Sequence, residues 1–112
     1  MKRIIVFIRP HRLEQVKSAI AAVGISGMTV SDVRGTGNSP EPAQWFAGEG
    51  NVIPLPIRSR IEVVVSDEMK DAVIQAILGA AQSGEASDGK IFIQPVETAI
   101  RVRTGERGEA AL

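Results

Sequence analysis

KRIIVFIR (residues 2–9) is an unbroken, largely β-branched run closed by Pro10, and its reading decides the fold. A strand with one solvated face alternates apolar and polar residues. Here Ile4, Val6 and Ile8 share one face while Ile5 and Phe7 share the other, so both faces need cover and the strand is expected at the centre of a sheet. Downstream, Leu13, Val16, Ile20 and Val23 recur at helical spacing and stop at Gly24, which predicts an amphipathic helix over residues 12–23 with a left-handed glycine beyond it. His11, the single histidine, follows Pro10 and reads as a helix-start residue rather than a metal ligand or a catalytic base. Residues 28–35 (MTVSDVRG) alternate more loosely and predict a second, more polar strand nearer an edge.

The pattern then repeats. SRIEVVVS (residues 59–66) places Ile61, Val63 and Val65 on one face and Arg60, Glu62 and Val64 on the other. Ser66 or Asp67 can cap the helix that follows, in which Met69, Val73, Ile77 and Ala81 recur at helical spacing before Gly84. Residues 91–94 (IFIQ) and 98–103 (TAIRVR) read as one interrupted strand, or as a strand and its continuation past Pro95. The order is βαββαβ in a single domain spanning residues 1–112: an α+β, ferredoxin-like antiparallel sheet with both helices on one face. The opposite face of the first strand would leave an exposed apolar patch in a monomer, which burial between subunits of a closed symmetric assembly removes.

Residues 36–57 (TGNSPEPAQWFAGEGNVIPLPI) hold four prolines and three glycines without periodicity, so a long loop is expected there. Trp45 and Phe46 within it suit anchoring in a partner groove, and equally suit tucking back onto the chain's own subunit or a neighbour. Near the C-terminus, Arg101 and Arg103 would share a strand face. With Lys90 and the turn at Asp88 and Gly89 they make a polyphosphate clamp, because guanidinium forks match phosphate oxygens and bare backbone N–H groups approach a ligand closely. The same arginine pair also reads as the wet face of an edge strand.

Thirteen basic and 13 acidic residues cancel, which removes the long-range field that favours nucleic acid or anionic membrane. The strands also lack the aromatic stacking positions of RNA-binding sheets. Cysteine is absent, which excludes disulfides and thiolate sites and agrees with a reducing cytoplasm. No apolar stretch approaches the ~20 residues needed to span a bilayer, and IIVFI is too short for a secretory signal, so a soluble protein is expected.

Four segments in order, KRIIVFIRPHRLEQVKSAI, VGISGMTVSDVRGTG, SRIEVVVSDE and SGEASDGKIF with AIRVRTGE, closely resemble the PII signal transduction proteins over essentially the whole chain. The resemblance implies a cytoplasmic homotrimer that binds adenine nucleotides in clefts between subunits and touches an enzyme, a transporter or a regulator through the long loop. It implies that Lys90, Arg101 and Arg103 hold phosphates with Gly89 donating backbone N–H groups. Thr29, Gly35, Thr36, Gly37, Glu62 and Val64 would complete the nucleotide site. In that arrangement the three cations meet glycine-lined backbone from an adjoining protomer. No catalytic residue, resident cofactor or metal site is expected.

The departures from the family pattern matter as much. Ser39 stands where a glutamine usually helps bridge a metal and 2-oxoglutarate, Asn38 replaces an arginine beside the phosphates, and Arg58 stands in for the usual lysine. Asn51 and Glu49 occupy the positions of the modifiable tyrosine and serine, so neither familiar switch is present. PII-like branches encoded near bicarbonate transporters and carboxysomes share the loss of that glutamine and tyrosine. The expectation is therefore a divergent PII-like regulator of nitrogen or carbon metabolism that responds to ATP, ADP or AMP, with bicarbonate as a candidate second ligand near Ser39 and Arg58. A 2-oxoglutarate-responsive regulator and a nucleotide-hydrolysing enzyme are the alternatives.

Overall fold

The computed structural model describes residues 1–37 and 54–112. Along them run β1 (Lys2–Ile8), a 3-10 turn (Pro10–Arg12), α1 (Leu13–Ala22), β2 (Thr29–Arg34), β3 (Ile57–Val65), α2 (Lys70–Ala81), β4 (Gly89–Pro95) and a second 3-10 turn (Gly108–Ala111). The four strands form one antiparallel sheet in the order β2-β3-β1-β4. β1 is central, as its two apolar faces require, and β2 lies at an edge.

Both helices cover one face. Ile4, Val6 and Ile8 of β1 and Ile61, Val63 and Val65 of β3 interlock with Val16 and Ile20 of α1 and Val73, Ile77 and Ala81 of α2. Ile4, Ile8, Val16, Ile20, Ile61 and Val73 are fully buried, each worth about 1.5–3 kcal/mol in apolar transfer. β-branched residues on the pleated strands and straight helical spacing on α1 and α2 point to the same two-layer solution, so local preference and packing agree. α1 ends as the sequence predicts, with Gly24 at φ +97°. Ser66 accepts a hydrogen bond from the Met69 amide at 3.3 Å and closes the turn that leads into α2.

Beyond one-residue shifts at other element ends, three boundaries differ from expectation. β3 begins at Ile57, so the predicted loop loses its last residue to the sheet, where Ile57 pairs with Arg34. β4 begins at Gly89 rather than residue 91, because Gly89 still pairs with Ile8. Residues 98–103 do not continue the strand. Pairing with β1 stops at Pro95, opposite Lys2, and the chain then folds on itself: the Arg101 amide donates to the Glu106 carbonyl at 2.9 Å, the Gly105 amide to the Arg101 carbonyl at 2.7 Å and the Gly108 amide to the Ala99 carbonyl at 2.9 Å. Arg103 therefore sits in a turn, and Arg101 and Arg103 do not share a strand face.

The sheet's second face carries Ile5 and Phe7 of β1, Phe92 of β4, and Arg58, Arg60, Glu62 and Val64 of β3. Ile5 is 7% exposed but Phe92 is 47% exposed, so this face is only partly covered within one chain.

Candidate functional site

Antiparallel pairing gathers particular chain ends at one edge of the sheet. The last residue of β2 opposes the first of β3 (Arg34 with Ile57), and the last residue of β1 opposes the first of β4 (Ile8 with Gly89). At that end a cleft of about 500 Å³ opens on the face away from the helices. Gly35, Thr36 and Gly37 form one wall as the chain leaves β2; Gly89 and Lys90 form another as it enters β4; Arg58 of β3 reaches the same space. Half of the expected nucleotide residues thus meet around one hollow, together with the expected anion residue Arg58.

Two features of the cleft escape the sequence reading, one of them an aromatic pair on strands expected to lack stacking positions. Phe7 and Phe92 line it as an edge-to-face pair with ring centroids 6.1 Å apart, an apolar surface suited to a planar ring. The register could have indicated this pair, since both rings project from the uncovered face, Phe92 opposite Ile5 and Phe7 opposite Lys90. Ala86 and Ser87 supply a further wall. No signal in SGEASDG other than its glycines marks those two residues.

Gly89 has a structural requirement of its own. Its φ is +126°, and a Cβ there would lie 1.9 Å from the Phe7 carbonyl oxygen, so only glycine lets β1 and β4 approach at the cleft floor. Gly35 and Gly37 differ: a Cβ on either meets nothing within 4 Å among the described residues. The Gly35 amide donates to the Pro56 carbonyl at 3.1 Å and Arg34 Nη1 to the Leu55 carbonyl at 3.4 Å, pinning the two limbs of the long connection beside the cleft.

The 83–88 segment is organised by Asp88. Its carboxylate accepts hydrogen bonds from the Ser83 amide at 2.7 Å, the Gly84 amide at 3.0 Å and the Ser83 hydroxyl. The bond from the Ser83 hydroxyl, followed by that from the Ser83 amide, holds the carboxyl below its ordinary value of 3.8, and the Gly84 amide and the Arg9 charge act in the same direction.

Thr29, Glu62 and Val64 do not line this cleft. Thr29 lies directly across from Glu62, and Val64 across from Arg3. The Glu62 carboxylate lies 2.9 Å from Arg3 Nε and 3.2 Å from Arg60 Nη2, so two guanidinium groups flank it on the uncovered face. Arg101 and Arg103 are also absent from the cleft. The Arg101 guanidinium faces Glu106 at 3.3 Å and donates to the Ala110 and Leu112 carbonyls at 3.3 Å.

Within one chain, Lys90 is grouped with glycine backbone and not with Arg101 and Arg103. Lys90 meets Gly35 and Gly37 of its own chain, because strand pairing fixes it at the cleft end while the arginines lie beyond Pro95 in a separate turn. Ser39, Trp45 and Phe46, like Asn38, Glu49 and Asn51, lie outside the described residues.

The chain as a whole is matched by known proteins. The family model for nitrogen regulatory protein P-II matches residues 1–106. This chain belongs to the P-II family. Across its whole length it is 45% identical to nitrogen regulatory protein P-II 2 of Methanothermobacter thermautotrophicus, covering 97% of that protein. It is 43% identical to nitrogen regulatory protein P-II of Nostoc punctiforme and 42% identical to that of Cereibacter sphaeroides, with both chains covered in full. No helix among the described residues is long and apolar enough to cross a membrane, and no group of three or more potential metal ligands occurs among them.

Proposed function

We propose that this P-II chain works as a homotrimeric regulator that takes adenine nucleotides in the cleft and passes their identity to a target enzyme or transporter through the 36–57 connection. The observation that carries this reading is the meeting of Gly35, Gly37, Gly89 and Lys90 around one hollow of about 500 Å³ with Phe7 and Phe92 beside them. That combination suits a nucleotide: rings for the base, bare backbone for close approach and a mobile ammonium for phosphate. The part-covered sheet face supports assembly, and a neighbouring subunit would complete the site with Thr29, Glu62, Val64, Arg101 and Arg103. Arg58 in the cleft supports a second, small anion, with bicarbonate the candidate.

A ligand shifts the connection between conformations only through its differential affinity for them, so ATP, ADP and AMP must differ in what they stabilise. Ser39 has no amide oxygen to offer a magnesium ion, and this weakens the advantage of ATP. ADP or AMP should therefore bind at least as tightly as ATP. Titration calorimetry with each nucleotide, with and without magnesium, bicarbonate and 2-oxoglutarate, tests the reading. Strong ATP selectivity would overturn the preference, strict monomers in sedimentation would overturn the shared cleft, and steady phosphate release would make the chain a hydrolase.

A further inference from the structure

Arg9 is the first residue beyond β1, at the same sheet end as the cleft, and the nucleotide reading assigns it nothing. Its side chain crosses to the 83–88 segment: Nη1 lies 2.7 Å from Glu85 Oε2, and Nε donates to the Ser87 carbonyl at 3.2 Å. The two contacts join residues 76 and 78 positions apart in the chain, and the Arg9 side chain is 24% exposed. Asp88 closes the segment internally with three hydrogen bonds from Ser83 and Gly84, which shapes it as a small unit. Internal bonds do not say where that unit sits against the sheet. Arg9 does, because a planar guanidinium reaching one side-chain and one backbone acceptor fixes direction as well as distance.

Ala86 and Ser87 of this unit line the cleft, and Ser87 is also the residue whose carbonyl Arg9 holds. We propose that Arg9 is a positioning residue: by bridging Glu85 and the Ser87 backbone it seats the 84–88 segment as a wall of the cleft and so sets how tightly an adenine nucleotide is held. The inference rests on the nucleotide reading above and deepens it. It also separates two roles for the same side chain. A guanidinium that merely adds positive charge near a phosphate is replaceable by lysine, whereas a bridge with two acceptors is not.

The test is ADP affinity by calorimetry, joined to amide hydrogen exchange on the ligand-free protein, for Arg9→Met, Arg9→Lys, Glu85→Gln and the double variant Arg9→Met/Glu85→Gln. Both Arg9 variants should weaken ADP about tenfold, as expected for loss of a charge-assisted hydrogen bond. Glu85→Gln, which removes one exposed ion pair, should weaken it about threefold. The double variant should bind no worse than Arg9→Met, because both changes remove one shared contact. Amides of residues 84–88 should exchange faster in the Arg9 variants while those of β1 and β3 keep their protection. Wild-type affinity in Arg9→Lys would overturn the bridge in favour of simple charge, and wild-type affinity in Arg9→Met would overturn any role. Failure of the unaltered protein to bind ADP would overturn the nucleotide reading itself; unchanged exchange in residues 84–88 would then overturn the positioning role independently. Glu85→Gln, on an exposed side chain, keeps the test decisive if an Arg9 variant fails to fold.

Discussion

The cleft end of the sheet and the C-terminal turn both carry arginines suited to phosphate, yet they are built by opposite means. At the cleft, residues far apart in sequence meet because three strand ladders fix them: Arg58, Gly89 and Phe7 occupy register positions that cannot slip without moving the core. In the C-terminal turn, residues 99–112 are joined by bonds among close neighbours, Arg101 with Glu106 and Ala110, and Val102 stands fully exposed at 100%. The first region owes its shape to burial. The second owes it to local hydrogen bonds in water, which are individually weak. A side chain held in the second way exchanges partners at low cost, which suits a group that would serve a neighbouring subunit's cleft.

The contrast breaks most visibly in the core beneath the cleft. Ile61→Ala removes a fully buried side chain from β3 and should cost about 2–5 kcal/mol in urea unfolding. If it costs no more than a surface change, the sheet does not frame the cleft. Gly89→Ala comes next. The added methyl meets the Phe7 carbonyl in a backbone conformation unfavourable to alanine, and a loss of about 1–3 kcal/mol is expected, with ADP binding reduced further because the cleft floor must shift. Retention of full stability would mean that β1 and β4 do not approach so closely.

Acid sharpens the comparison without a substitution. The Asp88 carboxyl is held below 3.8 in the folded chain, so the native state binds fewer protons there than the unfolded chain. Its stabilisation is fully present above the unfolded value and is lost as pH falls through the lowered folded value. The Ser83 and Gly84 amide signals should therefore shift together as the protein is acidified below 3.8. Asp88→Asn should abolish that titration. In the C-terminal turn, Glu106→Gln removes one exposed partner of Arg101 and should change unfolding free energy by no more than about 1 kcal/mol. The smallest effect belongs to Val102→Ser, expected within about 0.5 kcal/mol of the unaltered protein. A larger loss there would show the turn buried in the assembled protein.

Much of this was legible beforehand in particular residues. The double apolar face of residues 2–9 gave a central strand, and the spacing of Val16 with Ile20 and of Val73 with Ile77 gave the two helices. Gly89 and Lys90 stood out as a turn beside a cation, whereas Gly35, Gly37 and Arg58 were named through the family resemblance; all five line the cleft. The strand at 98–103 was misleading. AIRVR alternates like a strand, but β4 ends at Pro95 and the hydrogen bonds of the following segment close within itself through Gly105 and Gly108. Phe7, Ser87 and Arg9 were invisible as site residues, since an aromatic in a strand and an arginine before a proline look the same with or without a cleft beside them.

The sequence by itself determined the order of elements, the two-layer core and the family, because periodicity and turn chemistry act over a few residues and are written in consecutive letters. Only the tertiary structure decided which polar groups share a site. That depends on strand pairing, which brings residue 9 to residue 87 and, within one chain, ends before Arg101 can reach Lys90, and no local pattern encodes a distance across the sheet.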